Sequence, residues 1–127
     1  MDKQFSTKDV EAEVRRLAKI HYDFKYTEQD FGSPDPEEEV VCSYVGARIE
    51  GGKGEPCIIG TALMNLGVTP DELVQFEGDN VVKVLSSLTL EGGEFDLHTL
   101  FCDRVQFYQD SDLSWGHAVA QADLDLN

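Results

Sequence analysis

GGKGEPCIIGTALMNLGVTPDEL, running from Gly51 to Leu73, carries the tightest punctuation in the chain. Gly51, Gly52 and Gly54 predict a turn, because glycine adopts positive φ without penalty. Pro56 suits the first position of a helix, where its missing N–H costs nothing. Ile58, Ile59, Ala62, Leu63 and Leu66 then face more than one side, which predicts a helix central to the core. Gly60 and Ala62 leave room on it for a close neighbour. Gly67 is placed to end that helix with a left-handed residue. Thr69-Pro70-Asp71-Glu72 reads as a capping box with proline at the first helical position. Leu73, Val74 and Phe76 fill the short helix that follows.

Towards the N-terminus, Ser6 or Thr7 can cap a first helix. Val10, Val14, Leu17 and Ala18 recur at helical spacing and form its apolar stripe, with Arg15, Arg16 and Lys19 outward. The helix is expected to end near His21 or Tyr22. Phe24-Lys25-Tyr26 alternates and predicts a short strand. TEQDFGSPDPEEE, residues 27–39, holds two prolines, a glycine and six acidic residues, and predicts a long exposed loop. Val40–Val45 is rich in β-branched and aromatic residues, and Ala47–Ile49 is expected to return beside it after a turn at Gly46, giving a small β-hairpin.

Towards the C-terminus, Val81, Val82, Val84, Leu85 and Leu88 predict a helix over 80–88, although the valines also allow a strand. Asp96 or Glu94 caps the next, which carries Leu97, Leu100, Phe101, Val105 and Tyr108. Ser114 caps the last, with Trp115, Ala118, Val119 and Ala122 on one face. Residues 123–127 are expected to fray. The fold class expected is α+β, mostly α: an N-terminal helix, a small β-hairpin and four or five short helices in a single domain over 1–127.

The chain has 127 residues, enough for one core without staples. Its three cysteines, Cys42, Cys57 and Cys102, form no CxxC pair, and with His21, His98 and His117 they make no metal-ligand spacing, so reduced thiols and no metal are expected. No run is long and apolar enough for a membrane helix, and the N-terminus lacks a signal-peptide layout, so a cytoplasmic protein is expected. Charge is the informative total: 10 Lys+Arg against 25 Asp+Glu, a net of −15. Residues 1–25 carry six basic and five acidic side chains, and residues 26–127 four and 20. Such a surface repels phosphate backbones and disfavours direct nucleic-acid binding. It suits a basic partner, or it serves solubility alone.

Several chemistries fail on local grounds. Cys57, expected in the first turn of a helix, could be a thiolate nucleophile with His98 or His117 as base, but Ile58-Ile59 beside it turn it towards the core. Gly52-Lys53-Gly54 is not a phosphate loop, because Glu55 and Pro56 stand where such a loop needs Ser or Thr and free N–H groups. A weaker anion site at the start of the Cys57 helix stays open. Asp110-Ser111-Asp112 lacks the glycine and the final glutamate of a calcium loop. Neither catalysis nor a cofactor is expected.

Gly54-Glu-Pro-Cys57-Ile-Ile-Gly60, then Leu63, Leu66-Gly67-Val68, Gln109-Asp110 and Trp115-Gly116-His117-Ala118-Val119, resembles a group of small proteins of actinobacteria and their phages. These carry Gly-x-Pro-x-Cys-Ile/Val-Val-Gly, a helix ending in Leu-Gly-Val, and a C-terminal Trp-Gly-x-Ala. The match runs from about 42 to 122; here no spacer separates Pro56 from Cys57. That family has no assigned activity, so the resemblance implies only a phage or phage-exposed setting and an accessory role. Two functions are expected as alternatives. In one, Asp35, Glu37, Glu38 and Glu39 present acidic surface to a basic protein and inhibit a host factor such as a defence component. In the other, the chain sequesters a small nucleotide signal, with Gly51–Cys57 supplying N–H groups, Arg48, Lys53 or Arg104 the charge, and Trp115 or Tyr44 the stacking face. A homo-oligomer is compatible with either.

Overall fold

The computed structural model describes residues 5–28, 43–50 and 54–126. Six α-helices account for most of them: α1 (Thr7–Ile20), α2 (Ile58–Asn65), α3 (Pro70–Val74), α4 (Val81–Leu88), α5 (Leu97–Asp110) and α6 (Trp115–Leu126). Two 3-10 turns, Tyr26–Glu28 and Gly46–Arg48, complete the order. Among the described residues there is no strand, so the α+β class with its β-hairpin is corrected to all-α.

The reason lies in what the backbone of 43–47 bonds to. Ser43 N–H donates to the Tyr26 hydroxyl at 2.9 Å, and Tyr44 N–H to the Glu77 carboxylate at 2.6 Å. Gly46 N–H donates to Ser43 Oγ. Ser43 C=O accepts from Cys57 N–H and Gly54 C=O from Ala47 N–H. These groups are met by side chains and by the approach to α2, not by a neighbouring strand. Tyr44 and Val45 are buried as a strand reading requires, but as plugs from an irregular segment. Ala47–Ile49 enters the second 3-10 turn instead of returning, and Phe24–Tyr26 runs into the first. Val40, Val41 and Cys42, the exposed loop expected over 27–39 beyond Glu28, and the glycine turn at 51–53 lie outside the described residues.

The caps set the helix limits. Ser6 and Asp9 form a reciprocal capping box on α1, and Thr69 and Glu72 another on α3 with Pro70 inside it. Asn80 caps α4, Asp96 caps α5, and Ser114 Oγ accepts from His117 N–H at the start of α6. α2 differs from expectation by two residues. Cys57, not Pro56, stands at its boundary, and the thiolate-type position in the first turn becomes an N-cap whose sulfur accepts from Gly60 N–H at 3.4 Å. α6 continues to Leu126, and the Arg15 guanidinium grips both Asp123 oxygens at 3.0 and 2.7 Å.

α5 is the hub. It packs against α6, α1, α4 and α2, while α2 packs against α1 and α5. Val10, Val14 and Leu17 of α1 meet Ile58, Ile59 and Leu63 of α2 and Phe101 and Val105 of α5 in one core, closed by Leu73, Leu85, Trp115 and Ala118. Burying an aliphatic or aromatic side chain of this size contributes about 1.5–3 kcal/mol. α2 approaches very closely. A Cβ added to Gly60 would overlap the Tyr44 carbonyl oxygen, so the bare glycine lets the plug segment lie against the helix.

Candidate functional site

A cleft of about 320 Å³ opens between the turn that precedes α4 and the outer face of α5. Gly78, with φ +87°, ends the α3 region and turns the chain so that Asp79 and Asn80 form one wall. The Asp79 carbonyl accepts from the Tyr44 hydroxyl at 2.6 Å, which fixes that wall to the core. The opposite wall is a stripe of α5. Asp103, Gln106, Phe107 and Asp110 stand three, four and seven residues apart, a spacing that places them on one helical face. Arg104 lies at the edge and is exposed.

Gln106 is 6% exposed, and neither its Nε2 nor its Oε1 has a hydrogen bond of ordinary geometry among the described residues. A buried amide without partners is uncommon, and leaving one unpaired costs about 1–3 kcal/mol per group. Burial pushes the Asp110 carboxyl up to about 6, tempered by the nearby amides of Gln109 and Gln106. Gln109 reaches Asp110 Oδ1 at 2.8 Å; Gln106 is near enough to bias the charge but not well placed to bond. Burial also raises Asp103, with Arg104 opposing it. Asp79 has Lys83 Nζ at 3.5 Å. The site is therefore rich in acceptors and short of cations.

Of the described residues expected to bind an anionic ligand, Tyr44 and Arg104 line the cleft, whereas Arg48, Gly54, Cys57 and Trp115 do not. Cys57 is fully buried and Trp115 is 5% exposed. The Trp115 ring packs edge-on to Phe24 at 4.8 Å, and its Nε1–H donates to Gln109 Oε1 at 3.1 Å. Ile58 N–H donates to that same oxygen at 2.9 Å, and Gly60 N–H is taken by Cys57, so two of the N–H groups at the start of α2 are already bonded. Arg48 is exposed, 4.0 Å from the Glu55 carboxylate, and Gly54 contributes its carbonyl to Ala47. Tyr44 is buried and shows the cleft only part of its surface. Lys53, and with it Asp35, Glu37, Glu38 and Glu39, lie outside the described residues. Among the described residues no group of three or more His, Cys, Asp or Glu side chains could hold a metal ion.

Gln109 was not singled out for a role in the sequence, yet it joins the pieces of the pattern quoted there. Glu55–Gly60, Gln109-Asp110 and Trp115-Gly116 meet around its one amide. Gly116 in turn lies against the Tyr22 ring, with no room for a Cβ. The short elements of that pattern thus have a structural use here. The cleft stripe was also missed. Its signal was present as Asp103, Gln106 and Asp110, three polar residues at helical spacing on one face of α5.

Over the described residues, fold and cleft define a small helical bundle with an acceptor-lined surface site. No family model, no curated protein and no solved structure matches the chain. No helix among the described residues is long and apolar enough to cross a membrane.

Proposed function

We propose that this is a small accessory protein, of the kind found in phages, that acts by binding and not by turnover. Its acidic surface occupies the basic site of a host protein, a defence component being the class of partner inhibited. One observation supports the reading above others: the two arginines of α1 are tied up in ion pairs with the protein's own carboxylates. Arg15 is held by Glu11 and Asp123, and Arg16 by Glu13. These bonds hold both guanidinium groups charged and lower the pKa of Asp123 and Glu13, and, against the opposing effect of its burial, His98 together with Arg15 lowers that of Glu11.

The surplus carboxylates are left outside. Residues 54–126 carry 13 acidic side chains and two basic ones, Lys83 and Arg104. Asp71, Glu94, Asp112 and Asp125 are exposed and enter no ion pair among the described residues. A field of one sign steers an oppositely charged partner and speeds its association. The resemblance to small actinobacterial and phage proteins supports the setting.

The test is to express the tagged protein in its native host, identify the protein that it retains, and measure the purified pair across a salt series. The expected partner is basic, and its affinity falls steeply between 0.05 and 1 M salt, where the screening length shrinks to about 3 Å. A retained partner that is acidic, or an affinity indifferent to salt, overturns the reading.

A further inference from the structure

We propose that the cleft between the α4 turn and α5 receives a guanidinium group, an arginine side chain presented by the basic partner. The inference rests on the binding reading above and names the point of contact. The walls offer the carboxylates of Asp103 and Asp110, that of Asp79 with Lys83 at 3.5 Å, and the buried, unpartnered amide oxygen of Gln106, against a single basic lining residue, Arg104. An anion would face three carboxylates. An apolar group would leave Gln106 unpaired. A donor-rich cation meets both demands, since its N–H groups satisfy the amide oxygen while its charge answers the carboxylates.

The planar form fits better than an ammonium. Asp110 uses one oxygen for Gln109, leaving the other for one arm of a fork. Phe107, 55% exposed at the rim, offers a ring face on which a guanidinium stacks. The fold already uses that pairing once: the Arg15 guanidinium carbon sits 4.2 Å from the centroid of the Phe101 ring. The volume of about 320 Å³ takes one such side chain with room for water.

The experiment uses the full chain, labelled with nitrogen-15, titrated with N-acetyl-arginine amide. N-acetyl-citrulline amide, the same shape without charge, and N-acetyl-lysine amide are the comparisons. The expected result is saturable shifts confined to 78–81 and 103–110 with the arginine probe, smaller ones with lysine and none with citrulline. Asp103→Asn and Asp110→Asn each weaken binding about tenfold, a loss of the size of one charged hydrogen bond. Gln106→Leu weakens it likewise, and melting temperatures are read alongside to separate lost contacts from lost fold. Shifts equal for citrulline, shifts unchanged in both aspartate variants, or no saturable shift overturn the inference. A basic partner that binds with the expected salt sensitivity but leaves these resonances unmoved overturns the cleft alone and leaves the binding reading standing.

Discussion

Gln109 is the residue whose loss the fold should feel most. Its Oε1 accepts from Ile58 N–H and Trp115 Nε1–H, both buried, so it ties the start of α2 to the start of α6. Gln109→Leu keeps the volume but strands two buried donors, each at about 1–3 kcal/mol. The expected loss is about 3 kcal/mol in a urea titration followed by Trp115 fluorescence; a loss below about 1 kcal/mol would show that the donors find other partners. Asp110 should behave in the opposite way. Its carboxyl is raised to about 6 in the folded protein, above its ordinary value of 3.8. The folded state therefore holds the proton more tightly than the unfolded one, and this group takes stability away as pH rises from about 4 through 6. Asp110→Asn removes that loss while keeping an acceptor for Gln109. The variant should melt higher than the parent at pH 7.5 and close to it at pH 4.5, by differential scanning calorimetry. Equal melting at pH 7.5 would mean the carboxylate is better solvated than its burial suggests. A site carboxylate that weakens the fold is what a binding function leads one to expect.

At the scale of elements, the helix limits were largely legible and the hairpin was not. Capping signals are local: Ser6 with Asp9, Thr69 with Glu72, and Asn80, Asp96 and Ser114 each meet N–H groups three residues away, so the sequence alone locates them. The segment 43–47 is decided at a distance, by Tyr26, Glu77, Gly54 and Cys57, and no local pattern reveals those partners. β-branched residues report that a stretch will be buried, not that a strand will pair with it. Gly60 separates the two kinds of reasoning. By helix propensity, Gly60→Ala inside α2 should stabilise by about 1 kcal/mol. By packing, the added Cβ overlaps the Tyr44 carbonyl and drives the plug off the helix. The expected outcome is a loss of about 3 kcal/mol or more in denaturant titration. A gain would show that the close approach is loose.

At the scale of the molecule, composition conveyed the net charge of −15 and the single core, because both are sums over residues and need no geometry. The cleft is not a sum. It needs Gly78 to turn the chain, Tyr44 to hold Asp79 and α5 to present Asp103, Gln106 and Asp110 together, and these lie up to 66 residues apart. The anion site expected near Cys57 was read from neighbours in sequence, whereas Ile58 N–H and Trp115 Nε1–H meet in the core at Gln109 Oε1. Charge pairing also had to be seen in three dimensions. Arg15 with Glu11 is a local pair, but Arg15 with Asp123 joins the first helix to the last and decides which carboxylates remain outside.

That last clasp bears on how the protein is made. A ribosome releases α1 before the helices that cover it, and its stripe of Val10, Val14 and Leu17 finds a part of its cover in α2. The rest comes from α5 and α6, about 100 residues later, and Asp123 is almost the last residue described. At about 5–20 residues per second the stripe waits for several seconds or longer, part of it inside the exit tunnel. Folding of this core is thus a closing event that must wait for α5 and α6, and the many carboxylates along residues 26–127 keep the waiting polypeptide apart from its neighbours.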